Sequence, residues 1–340
     1  DERFYRFFHN TRRIKATVIH FQLRYLVWAT SDTDVFVMHE KSLYHWDTVK
    51  KKSTEILNLS GVVPGRDQDN AHVWPNGCQV STIVVSDGLA IAGGFYGEII
   101  AKNLNSGKVI YNGWVTNDPN AITNAIDVHQ SRTLQVMTSN NDCFVRLFDA
   151  GNGSSLTPLK SMGFNWPVNH ATRQPDPGSK ISCVVGDDTS ILLADVESGR
   201  ILQTLHGHTD YSFATAWHPN GHIVATGNQD CTARIWDIRF PRDAIKVLPA
   251  RMGAVRCARF SSDGRFFAMS EPADFVHVYD YAGGTFARSQ EIDMFGEIGG
   301  VAFSPSTQAL FVGVSDRTYG SLLEYERIPR TNYTRGLSFL

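Results

Sequence analysis

The chain has 340 residues, of which 42% are apolar and 19% charged, and its formal net charge is -2. That composition excludes a disordered chain, and the near-neutral charge gives no global attraction to nucleic acid or acidic lipid. No apolar stretch reaches the ~20 residues of a membrane-spanning helix. The five cysteines (Cys78, Cys143, Cys183, Cys231 and Cys257) form no CxxC pair, and Cys143, Cys183 and Cys257 sit in or beside apolar, strand-like runs. Buried reduced thiols are expected, which points to the cytosol or nucleus. The chain begins at Asp1 with no signal sequence and reads as a fragment.

Short β-branched and aromatic runs, split by Gly, Asn, Asp and Pro, fill the chain in order. KATVIHF (15–21) alternates and stands alone. RYLVWAT, DVFVMHE, SLYHWDT and STEILNL make the first set of four. Residues 61–77 read as an inserted loop. CQVSTIVV, LAIAGGF, GEIIAKNL and KVIYNGW come next, then ITNAIDV, LQVMTSN, CFVRLFD and SLTPLK. VNHATR, KISCVV, SILLADV and RILQTL follow. The fifth set is YSFATAW, HIVATG, TARIWDI and Lys246 to Leu248. The sixth is VRCARFS, FFAMSE, FVHVYD and ARSQEID. IGGVAFS, ALFVGVS and GSLLEYE end the series, and Ile328-Pro329-Arg330 breaks the pattern.

The leading strands fall near 24, 78, 122, 168, 211, 254 and 298, with spacings of 54, 44, 46, 43, 43 and 44. Such a period is that of a four-stranded propeller blade. One phrase is written twice, MTSNNDCFVRLFD at 137–149 and ATGNQDCTARIWD at 225–237, with six of thirteen positions identical. The expected fold is all-β, a seven-bladed β-propeller forming a single domain over 1–340 with a tail at 328–340. The seventh set lacks its fourth strand, and an unclosed ring would leave exposed sheet edges. The N-terminal strand at 15–21 is therefore expected to complete the last blade.

Gly207-His208 followed by Trp236-Asp237 resembles the signature of the WD40-repeat family. Phe148-Asp149 and Tyr279-Asp280 are weaker copies. Locally, SDRTYGSLLEYER (315–327) and LVWATSDTDVFVMHEKSLYHWD resemble uncharacterised fungal and plant WD-repeat proteins. The resemblance implies a hydrogen-bonded chain of His208, Thr226, Asp230 and Trp236 that stiffens a blade. IVATGNQDCTARIWDIR also resembles the short box of substrate receptors in cullin-4 ubiquitin ligases. That likeness implies an adaptor contact at Arg239, although Ala233 departs from the usual bulky apolar residue.

Catalytic chemistry finds no footing. HExxH, GxSxG and GxxxxGK[ST] are missing. Gly93 to Gly97 reads as a turn between strands. Asp187-Asp188 falls in a turn after a second strand, and no histidine pair has metal-ligand spacing backed by a cysteine. Neither a cofactor nor a metal nor a small-molecule substrate is expected. Arg12-Arg13-Lys15 and Lys50-Lys51-Lys52 are too small for a nucleic-acid face. Propellers bind through the loops that lead into their innermost strands. Here those positions carry Arg24, Trp74, Trp166, Asp210, Tyr211, Arg251, Phe295 and Glu297. Trp, Tyr and Arg dominate interface hot spots. The expected function is a non-enzymatic scaffold that binds protein or peptide partners, with a cullin-4 receptor using Arg239 as the alternative.

Overall fold

The structure, a computed structural model, describes residues 3–18, 20, 24–60 and 78–329. The fifth set shows how the pattern becomes a blade. Ser212–Trp217, Ile223–Asn228, Thr232–Asp237 and Lys246–Pro249 pair in chain order as an antiparallel meander. Turn residues set its corners. Asn220 Oδ1 accepts the backbone N–H of His222, and Gly221 takes the positive φ that an L side chain resists. At the next corner Asn228 Oδ1 accepts the N–H of Asp230, whose Oδ1 accepts the N–H of Thr232. Cys231 then turns through the left-handed region at φ 61°, as Cys143 does at φ 72° in the earlier copy of the phrase.

Among the described residues the strands form five four-stranded sheets and one seven-stranded sheet. The larger sheet is two blades sharing one strand, Arg288–Phe303. Residues 288–293 pair back onto Ala273–Asp280, and residues 297–303 pair forward onto Ala309–Ser315. The count is seven blades. Their innermost strands touch in sequence around a closed circle, with the seventh against the first.

Apolar clusters sit between neighbouring blades. Cys183, Val185, Ile191, Leu193 and Leu205 of blade 4 pack on Trp217, Val224 and Trp236 of blade 5. The inner strands of blades 2, 3, 4, 5 and 7 share a bulge at one place, at residues 81, 124, 169, 213 and 299. A bulge re-aims one side chain. Here Ser81, Asn124 and Asn169 each reach the next blade, donating to the carbonyls of Thr123, Val168 and Ser212.

An N-terminal strand closes the last blade, but it is Tyr5–Thr11, not 15–21. It pairs antiparallel with Ser321–Arg327, from Tyr5 opposite Arg327 to Thr11 opposite Leu322. Buried Gln290 fixes it by accepting the N–H groups of Phe4 and Tyr5 and donating to the carbonyl of Tyr5. The described part of 15–21 instead threads between blades 7 and 1. Ile14 and Ala16 fill the wedge there beside Val27, Val37 and Phe311. Thr17 N–H donates to the Met38 carbonyl, and the N–H of Val18 to Ser315 Oγ. Its alternation reports burial in a wedge, not ladder pairing. The real closing strand exposes Phe7 and Phe8, which blurs its own pattern.

Candidate functional site

In a meander, the loop leading into each inner strand and the turn joining the second and third strands lie at the same end. They are bonded to each other here. Phe95 donates to Gln79, Asn141 to Ile122, Asp187 to Pro167 and Gln229 to Tyr211, all backbone to backbone. In blades 2 to 5 the lead-in and the second turn are thus tied together at one face of the ring.

Blade 5 shows how the base is held. His208 Nδ1 lies 2.8 Å from Asp230 Oδ2, and its Nε2 lies 2.9 Å from Thr226 Oγ1. The Trp236 indole N–H donates to the same hydroxyl at 3.0 Å. With its proton on Nδ1, His208 donates to Asp230 and accepts from Thr226, so each polar group is used. Burial lowers the His208 pKa, against the pull of Asp230. Burial alone would raise the Asp230 carboxyl, but bonds from His208 and Thr232 outweigh it and hold it at about 2. Blade 3 has no such histidine, and Asp142 is paired bidentately with Arg146. In blade 6, Glu271 accepts the N–H groups of Arg251, Met252 and Gly253 and contacts His277 at 2.8 Å.

The lead-in loops of blades 5, 6 and 7 present side chains to solvent. Tyr211 is 46% exposed, Met252 76% and Phe295 83%. Arg251 ion-pairs with Glu291 and lies over the Phe275 ring at 4.9 Å. Asp210 uses its carboxylate on the N–H of Tyr211 and its carbonyl on Asn228. Trp166 is half-buried, stacked on Phe164 and packed against the cluster between blades 3 and 4. There it fills a gap between blades more than it offers a surface. Trp74 lies outside the described residues.

Arg24 and Glu297 form an ion pair at 3.9 Å. Arg24 is 1% exposed and donates to the His20 carbonyl. Close by is Arg256, 7% exposed, which sequence reading passed over inside the strand VRCARFS. It leads the inner strand of blade 6 where other blades place the bulge residues Ser81, Asn124 and Asn169. A charge at that position was the available signal. Met252, hidden in a loop without aromatic neighbours, gave none.

Below the mouth the channel is filled. Tyr25 of blade 1 stacks on His170 of blade 4, ring centroids 4.5 Å apart. The Arg259 guanidinium of blade 6 lies 4.6 Å from the Tyr25 ring and 4.3 Å from the Trp28 ring. Burial pushes the Asp127 carboxyl up to about 7, against the Arg173 N–H and the charges of Arg173 and Arg259.

Elsewhere, Arg239 grips Asp237 with Nε and Nη2 at 2.9 and 2.6 Å. Asp187 accepts from Asn169, and Asp188 accepts the N–H of Ser190. Both carboxylates serve turns. Among the described residues, no group of three His, Cys, Asp or Glu side chains could hold a metal ion, and no helix is long and apolar enough to cross a membrane.

Known proteins share this architecture. Residues 199–237 match the family described as WD domain, G-beta repeat. Striatin-4 of Mus musculus is 28% identical over 92 residues, covering 27% of this chain and 12% of that protein. THO complex subunit 6 of Arabidopsis thaliana is 32% identical over 116 residues, 34% of this chain and 29% of that protein. An uncharacterized WD repeat-containing protein of Synechocystis is 27% identical over 212 residues, 61% of this chain and 51% of that one. The chain thus spans about an eighth of the length of striatin-4. A chain in the crystal structure of the mitotic checkpoint complex superposes with a TM-score of 0.75 at 15% identity, covering 96% of this chain and 94% of that one. Residues 199–237 of this chain thus match a WD40 repeat, and the chain as a whole has the fold of a β-propeller.

Proposed function

We propose that this propeller is a non-enzymatic scaffold that docks a protein or peptide partner on the face built by its lead-in loops. The observation that carries the reading is the exposure of Tyr211, Met252 and Phe295 on three consecutive lead-ins, each tied at its base by a side-chain hydrogen bond to Asp230, Glu271 or Asp274. Large apolar side chains on a rigid rim, next to Arg251 and Glu297, have the composition of an interface hot spot. A propeller found within the mitotic checkpoint complex, and relatives named as subunits of complexes, agree with this in kind. Unpaired Cys78, Cys183 and Cys257, all buried, suit the reducing cytosol or nucleus.

The receptor reading rests on the WDxR box. Arg239 is half-exposed, but the Nε–Nη2 edge of its guanidinium already holds Asp237, so an adaptor would have to compete for that edge. Affinity purification of wild type beside the double variant Tyr211→Ala, Phe295→Ala tests the main reading. Loss of a wild-type partner from the folded variant is expected. An unchanged partner set would refute use of this rim, and a partner lost only with Arg239→Ala would favour the receptor.

A further inference from the structure

We propose that Arg256 is the floor of an anion-recognition site at the mouth of the channel, made to take a carboxylate or phosphate carried by the docked segment. The inference rests on the docking reading above and names the chemical group that reading leaves open.

Arg256 is 7% exposed, yet its guanidinium is only partly used. Nη2 donates to Gln229 Oε1 at 2.8 Å, while Nε and Nη1 are buried without a partner. The Arg256 Cζ lies over the Phe213 ring, 3.9 Å from the centroid, a cation–π contact that covers one side of the group. A buried guanidinium with two idle donors is costly, since burying charge is tolerated when the charge is paired and hydrogen-bonded.

The surroundings add positive charge. Arg24 is buried nearby, and with burial it lowers the Arg256 pKa to about 10. Burial, Arg24 and Arg256 together hold the His20 imidazole down at about 4. These shifts place three basic groups within one another's fields. Two carboxylates face them: Glu297 stands 3.9 Å from Arg24 with its side chain half-exposed, and Asp210 acts on Arg256 through space. Neither is within ion-pair distance of Arg256 among the described residues. Nε–H and Nη1–H lie on either side of the Gln229-bonded Nη2, so each of the two guanidinium edges keeps one idle donor, and charge-assisted donors of this kind select an anionic oxygen such as that of a carboxylate or phosphate. The exposed rim of Tyr211, Met252 and Phe295 would carry the rest of the segment.

The test is a titration of the full chain, labelled with 15N-arginine, following side-chain Nε–H resonances. Sodium phosphate and sodium acetate are the probes, at ionic strength held constant with sodium chloride. Arg256→Lys assigns the resonance. Phe213→Leu, which removes the ring current above the same guanidinium, assigns it independently should the first variant not fold. A saturable shift of the Arg256 signal is expected, at least tenfold weaker in Arg24→Gln. Tighter phosphate binding would point to a phosphorylated partner segment, and tighter acetate binding to an acidic one. A signal that moves with neither anion, or no more than with chloride, overturns the site. That result would leave rim-dependent partner capture intact, so the two readings fail separately.

Discussion

Thr226 does more for this fold than its size suggests. Its one hydroxyl serves the His208 imidazole and the Trp236 indole at the same time, and both are fully enclosed. Buried groups left without such a partner cost about 1–3 kcal/mol each. The same logic makes the histidines an acid sensor of stability. Burial holds His170 at about 3 and His20 and His129 at about 4, and it lowers His208. All lie below the unfolded value near 6.5, so the unfolded chain takes up protons first. Their contribution is complete above pH ~6.5 and is lost as pH falls toward 4. Asp127 opposes them, because its raised pKa lets the folded state hold a proton between about 4 and 7. Glu324 is raised by burial as well, and His9 is lowered with the others, so two carboxyls stand against five imidazoles and leave a net loss. Urea midpoints should therefore fall from pH 6.5 to 4, and His170→Phe should flatten that slope by roughly 3 kcal/mol at most across the window. A slope unchanged in the variant would mean that His170 is not held neutral by burial.

At the scale of the element, what counts is where alternation comes from. A strand in a ladder and a strap in a wedge both bury every second residue, so KATVIHF and a true edge strand look alike in sequence. Tyr5–Thr11 was harder to read because Phe7 and Phe8 both face solvent. The backbone bonds distinguish the two. Residues 5–11 share a ladder with Ser321–Arg327 and are pinned by Gln290. Hydrogen exchange should show amides of 5–11 as protected as those of 321–327, with Gln290→Ala lowering both together. Fast exchange over 5–11 beside a protected 321–327 would mean that the ring is closed in some other way.

At the scale of the whole molecule, seven blades were legible because the strand runs recur at a near-constant period, and two corners repeat Asn-x-Asp-Cys almost letter for letter. The proposed docking face was only half legible. Lead-in positions follow from topology, which is why Tyr211 and Phe295 could be named from the sequence. Whether a side chain there faces water depends on its neighbours. Trp166 turned inward onto Phe164, while Met252 stayed out. Arg256 was missed because a charge inside an apolar run has meaning only once the circle is closed and the run is seen to end at the channel mouth.

The central claim is that this rim, and not the outer wall, meets a partner. Site-specific photo-crosslinking in cells tests it most directly, with the photoreactive residue placed at Phe295 or at Ile201, which is exposed on the outer strand of blade 4. The account predicts a discrete adduct with another protein from position 295 and none from position 201. An adduct from 201 alone would contradict it.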